Sequence, residues 1–214
     1  TGYERFSGRA NMDFSVNDWL KVGSSSFISR SDAKSTIGDN SLYGVMINAL
    51  AADPTMPVFQ EDGTYSDPFS YYSWWAFENP RASTDLYRRN TFTNRVLGSM
   101  YAEISFLDNL KFRSSWSADY QYLKDVLFYP STTLQAIRGG IDGQGQFSSA
   151  ETTTWLNENT LTYTTTLKGV HNLSVLAGFT MQETDFADAD ILGQNFANDN
   201  LSALDLAADI TSAG

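Results

Sequence analysis

The chain has 214 residues, 42 % of them hydrophobic and 14 % aromatic, with 18 % charged and a formal net charge of −11. This is enough apolar material for a folded domain and excludes a disordered polymer, while the acidic balance argues against a nucleic-acid partner, whose phosphates need a basic surface. The absence of cysteine rules out disulfides, a thiolate nucleophile and cysteine-ligated zinc, and no run of about eighteen apolar residues offers a membrane-spanning helix, which leaves membrane strands open.

Taken in chain order, the first six residues, Thr1-Gly-Tyr-Glu-Arg-Phe6, contain neither an initiator methionine nor a signal sequence. They enter an alternating pattern at once, from which we expect a piece of something longer. Three hairpins follow from period-two alternation, over about residues 3–30, 94–122 and 155–182. In the first, Phe6, Gly8, Ala10, Met12, Phe14 and Val16 share one face, Asn17-Asp18 makes the turn, and Leu20, Val22 and Ile28 return. In the second, Met100, Ala102, Ile104 and Phe106 precede a turn at Asp108-Asn109, and Phe112, Trp116, Ala118 and Tyr120 follow it. The third turns at Gly169-Val170-His171-Asn172, with Leu161, Tyr163 and Leu167 before it and Leu173, Val175, Phe179 and Met181 after. Asn, Asp and Gly suit these turns because they tolerate the positive φ that tight hairpins require.

Between the hairpins the alternation lapses, over about 31–91, 123–154 and 183–214, far beyond the usual four to six residues of a connection. Leu42, Val45, Met46, Ala49 and Leu50 predict a short helix ending before Asp53-Pro54, and Leu201, Leu204 and Ala208 hint at another. Short turns at one end and long loops at the other are the pattern of outer-membrane barrels, and strands of about ten residues tilted near 45° span an apolar band of roughly 25 Å. Aromatic residues fall where interfacial girdles belong: Phe14, Trp19, Phe106 and Phe112 near the short turns, and Phe6, Trp116, Tyr120, Tyr122 and Trp155 toward the long loops. The alternation alone is equally that of a soluble antiparallel sheet packed on its own core.

Catalytic constellations are weak. His171, the single histidine, sits in an expected turn with no partners in sight, Glu61-Asp62-Gly63 reads as a turn, and the glycine-rich stretch 139–145 lacks the Lys-Ser/Thr of a phosphate cradle. We expect no enzyme activity, cofactor or metal. The acidic stretch after Gln182 (Glu183, Asp185, Asp188, Asp190, Asp199, Asp205, Asp209) fits no EF-hand spacing and reads as a solvated outer loop. Tyr65, Tyr71, Tyr72, Trp74 and Trp75 crowd one loop and are candidates for contact with a solute or a lid protein, since aromatic faces stack on sugars and anchor interfaces. Arg95, Glu103, Lys111, Arg113 and Asp119 are the candidate lumen-facing polar residues, on the face opposite the apolar alternation.

Five stretches, in this order, resemble the SusC/RagA family of TonB-dependent outer-membrane transporters: TGYERFSGRANMDFSVNDWLKVGSSSFISRS, PTMPVFQEDGTYS, NRVLGSMYAEISFLDNLKFRSSWSADY, TWLNENTLTYTTTLKGVHNLSVLAGFTMQE and LGQNFANDNL. The resemblance implies an all-β fold, with about six antiparallel transmembrane strands of a 22-stranded barrel carrying long extracellular loops with short helices. It implies a bacterial outer-membrane location, import of glycans, oligosaccharides or peptides, a SusD-type lipoprotein lid, and energy from TonB through an N-terminal region. Six strands cannot close such a barrel, and open strand edges are forbidden in lipid, so the likeness implies an internal piece. A soluble β-rich carbohydrate-binding module and a passive porin are the alternatives.

Overall fold

A computed structural model of the chain describes residues 2–38, 41–68, 78–200 and 203–213. Its strands lie in chain order in one antiparallel sheet, each paired with the next: β1 (Gly2–Ser15), β2 (Leu20–Ser35), β3 (Arg88–Leu107), β4 (Leu110–Tyr129), β5 (Gln144–Leu167), β6 (His171–Phe196) and β7 (Ala207–Ala213). The sheet is open, with β1 and β7 as its edges.

The three expected turns are short. Asn17 closes the first by accepting the backbone N–H groups of Trp19 and Leu20 on its side chain, at 3.1 and 2.8 Å. Asp108-Asn109 links β3 to β4. The third turn lies earlier than expected: Lys168 and Gly169 take the positive φ angles, 52° and 70°, and His171 is already in β6, opposite Leu167.

The sheet differs from expectation in extent. Seven strands form rather than six, and β3 to β6 run 20 to 26 residues. Much of the expected loops 123–154 and 183–214 is therefore wall: β4 continues to Tyr129, β5 starts at Gln144, and β6 carries Glu183, Asp185, Asp188 and Asp190 as far as Phe196. The reason is that backbone pairing continues wherever a neighbour offers the ladder, whether or not side chains keep alternating in polarity. The acidic stretch is largely strand.

The remaining connections fold over the upper rim. The expected helix forms as α1 (Val45–Ala51). Its apolar stripe is turned outward, however: Met46 and Leu50 are 57 % and 84 % exposed, and the buried position is Asn48. Helix α2 (Pro80–Asp85) starts at the Asn79 cap, whose side chain accepts from the Arg81 N–H, with proline in the first turn where its missing N–H costs nothing. Helix α3 (Leu134–Gly139) is capped by Thr133 and stopped by Gly140 at φ 63°. The hint near Leu204 is a 3-10 turn, Leu204–Leu206, leading into β7. Tyr87, Tyr129 and Ala136 make a small core under these loops, flanked by Ile37, Tyr43, Leu127 and Ile141.

Candidate functional site

The two faces of the sheet differ in chemistry. Register places Met12, Ser24, Met100, Trp116, Asn157 and Met181 in one row across six strands, and Asp13, Gly23, Tyr101, Ser115, Glu158 and Thr180 in the next, on the opposite face. On the first face no charged side chain occurs between Phe6 and Phe14, Leu20 and Ile28, Val96 and Phe106, Leu110 and Tyr122, Trp155 and Leu167, or Leu173 and Met181. Above it charge begins on five of the six strands, at Glu4, Arg30, Lys124, Glu151 and Glu183, while β3 stays uncharged on this face up to Arg88. The charge-free zone is thus at least about 10 residues tall above the short turns on every strand, or roughly 25 Å for strands tilted near 45°.

Polar atoms inside this zone are screened. Asn157 is 3 % exposed, its amide donates to the Ser115 carbonyl at 3.0 Å, and its side-chain oxygen accepts from Asn159 at 2.6 Å. Trp116, its row partner, and Trp155 stack beside it, with ring centroids 6.2 Å apart.

The opposite face is laced with ion pairs, and all five polar candidates, Arg95, Glu103, Lys111, Arg113 and Asp119, lie on it. The structure joins four of them. Arg95 donates from Nε to Asp119 at 2.9 Å, and Arg113 sits 3.8 Å from Glu103 directly across the β3–β4 ladder. Arg113 also lies over the Tyr101 ring, 3.8 Å from its centroid, and the Tyr101 hydroxyl donates to Asp13 at 2.6 Å. Tyr101 covers Gly23, its partner across the ladder, where a Cβ would fall 2.3 Å from Tyr101 Cε1. Lys111 faces the same side between Ser105 and Thr162 without joining this network. These half-exposed pairs contribute modest stability each. Their arrangement is a polar wall rather than a converging catalytic group.

Of the aromatic candidates, Tyr71, Tyr72, Trp74 and Trp75 lie outside the described residues. Tyr65 is held within its own loop: its hydroxyl donates to Asp85 at 2.9 Å, Asp85 pairs with Arg81, and its ring packs 5.1 Å from Phe59.

Sequence patterns missed the polar knot that joins the loops. Glu78 is buried, yet its carboxylate accepts from the Leu134 N–H at 2.6 Å and the Tyr87 hydroxyl at 3.3 Å. Asn48, fully buried, accepts from the Glu78 N–H and donates to Ser83. Asn79 donates to the carbonyls of Val58 and Ser66. On the other side Asp199 accepts from both the N–H and hydroxyl of Ser131. These ties connect the segments before β3, between β4 and β5, and after β6 into one cap.

Burial pushes the Glu78 carboxyl above the ordinary glutamate range, with donation from Leu134 and Tyr87 opposing the shift. A raised folded-state pKa means that the cap holds its proton more tightly than the unfolded chain. Its contribution is complete below the usual glutamate pKa and is lost as pH rises through the raised one. Removing the carboxyl in Glu78→Ala is expected to cost about 1–3 kcal/mol of local stability, because a buried N–H loses its acceptor. Glu78→Gln is expected to flatten the pH dependence. Proteolytic cleavage of the cap, followed between pH 4 and 8 in wild type and both variants, checks the pair.

The comparisons with known proteins agree with this geometry. No protein-family profile matches the chain. Among curated proteins, TonB-dependent receptor P26 of Formosa agariphila is 30% identical over 195 residues, covering 90% of this chain and 19% of that protein. TonB-dependent receptor P3 of the same organism is 29% identical over 210 residues, covering 93% of this chain and 20% of that protein. Among solved structures, the RagAB peptide importer in its "closed-closed" state superposes with a TM-score of 0.74 at 17% identity, over 99% of this chain and 24% of that one. Its "open-open" state gives 0.75 at 18% identity.

The chain is similar to a segment of TonB-dependent receptors, and its sheet matches the barrel fold of RagA. It spans about a fifth of the length of the curated receptors it matches. As in the RagA barrel fold the strands form one antiparallel wall, which the chain itself does not close. The relatives are described as receptors and as a peptide importer.

Proposed function

We propose that this receptor segment is part of an outer-membrane importer, with its charge-free face against lipid and its ion-paired face lining the lumen. The observation that supports this best is the charge-free zone itself, shared by one face of all six strands above the short turns and tall enough for the apolar band of an outer membrane. The long connections then stand on the extracellular side, and the cap knotted by Glu78, Asn48 and Asp199 forms part of the vestibule wall.

The imported solute is a peptide, a glycan or an oligosaccharide. RagAB, described as a peptide importer, favours the first by likeness of fold. Receptors of this type would work with a SusD-type surface lipoprotein as lid and draw energy from TonB. The mixed charges around Arg95, Asp119, Arg113 and Glu103 suit a polar solute and a plug equally well. Arg95, Glu103, Lys111, Arg113 and Asp119 are the residues we assign to the lumen, and Tyr65, Tyr71, Tyr72, Trp74 and Trp75 to solute or lid contact.

The test is purification of the full-length receptor from outer membranes in mild detergent. A lipidated partner in equal amount, together with bound oligopeptide or oligosaccharide identified by mass spectrometry, is the expected result. Recovery from the soluble fraction without detergent, or as a porin-like trimer without a partner, would overturn the reading.

A further inference from the structure

The outer face above the charge-free zone holds a pocket of about 360 Å³ that the import function does not use. Its lining comes from the end of β2 (Lys34, Ser35), helix α2 (Thr84), β3 (Arg88, Arg89, Asn90) and β4 (Val126, Phe128), with Thr36 and Tyr87 from the adjoining segments. Lys34, Asn90 and Val126 are row partners on the face assigned to lipid, and Arg88 and Phe128 form the next row up. Five of the lining residues thus belong to the face assigned to lipid, above the charge-free zone, while Ser35 and Arg89 are row partners on the opposite face.

Its charge is positive and available. Among the described residues, neither Lys34 nor Arg88 has a carboxylate within ion-pair distance, although Arg89, the next residue, is paired with Asp125 on the opposite face. The carboxylates nearest in register, Glu4 and Asp32, lie in the row below, and Asp85, beside Thr84, is occupied by Arg81 and Tyr65. Two unpaired cations beside hydroxyls from Ser35, Thr36 and Thr84 are suited to a phosphate, which takes charge-assisted hydrogen bonds from several donors. A second, independent feature narrows the ligand. Asn90, lining the same pocket, has its side-chain oxygen buried with no hydrogen-bond partner, so the site also asks for a neutral donor such as a sugar hydroxyl or amide. Val126 and Phe128 give that group an apolar backing.

We propose that this pocket binds the phosphorylated sugar headgroup of an outer-leaflet glycolipid, with the phosphate between Lys34 and Arg88 and a sugar donor on Asn90. The inference rests on the membrane orientation given above. Because Thr84 and Arg88 bracket the point where the first long connection rejoins the wall, the bound headgroup also ties that connection to the membrane surface.

The full-length receptor in phosphatidylcholine nanodiscs, with and without lipid A, tests this. Lipid A is expected to raise the unfolding temperature and slow hydrogen exchange at 84–90. Lys34→Ala with Arg88→Ala is expected to weaken its binding about tenfold or more, as the loss of two charge-assisted contacts requires. Asn90→Leu is expected to weaken lipid A binding while leaving any effect of inorganic phosphate unchanged. Equal protection by inorganic phosphate and lipid A would reassign the site to a free anion and overturn the glycolipid. Equal lipid A binding by wild type and the double variant, or none by either, would overturn the site altogether. Quenching of a bimane label at Ile28→Cys by brominated lipid separates the two ideas: quenching without lipid A binding rejects only the pocket, and no quenching rejects the orientation itself.

Discussion

Arginine in place of Ala102 or Ala118 is expected to cost the full-length barrel roughly 2 to 4 kcal/mol, the depth-dependent cost of a cation on the lipid face near the bilayer midplane. Both alanines sit well inside the charge-free zone, Ala102 between Met100 and Ile104 and Ala118 between Trp116 and Tyr120 on the same face. No carboxylate lies in the row of Ala102, and the one in the row of Ala118, Glu183, is two strands away and already accepts from the Trp155 indole. Arginine at Ser115, one residue from Trp116 but on the ion-paired face, has Glu158 as its row partner and is expected to be far milder. Urea unfolding of the folded barrel, read by its gel mobility, compares the three. Equal losses at all of them would mean that the faces have been assigned wrongly.

Valine in place of Gly23 is the second large effect expected. Even a Cβ would meet Tyr101 Cε1 at 2.3 Å and Asp13 Oδ1 at 2.4 Å, so Tyr101 must leave its place across β2. That displacement breaks its 2.6 Å hydrogen bond to Asp13 and uncovers the Arg113 guanidinium stacked on it. Overpacking of this kind costs about 1–3 kcal/mol. Tyr101→Ala removes the obstacle, so adding Gly23→Val to it is expected to cost much less than adding it to wild type. A double-mutant cycle in thermal unfolding reads that coupling, and simple additivity would show that Tyr101 does not rest on Gly23.

How much of this could be read from the sequence depends on what each side chain meets. Within the charge-free zone, Met100 to Phe106 and Phe112 to Tyr120 alternate because one side is apolar and the other hydrated, and the hairpins and their faces follow directly. Above the zone both sides meet water or loops, so Ser148, Glu151, Asp185 and Asp188 lose the alternation although the ladder between β5 and β6 continues through them. The signal stops there and the strand does not. Helix α1 shows the reverse: its spacing of apolar residues predicts the helix, but not that Leu50 faces outward while Asn48 is buried. Asn48, Glu78 and Asn79 look like ordinary loop residues because their partners, Ser83, Leu134 and Val58, become neighbours only after folding. The Gly23–Tyr101 contact likewise needs the β2–β3 register before it can be seen.

The central claim is that a single wall separates lipid from a watery lumen. The chain has no native cysteine, so single cysteines can be placed along β4 of the full-length receptor from Phe112 to Tyr122 and spin-labelled in bilayers. A period-two alternation in collision rates is expected. Even positions such as Phe112, Trp116 and Tyr120 should favour oxygen dissolved in lipid, and odd positions such as Ser115, Ser117 and Asp119 should favour a water-soluble nickel chelate. Uniform access of the nickel chelate at every position would contradict it.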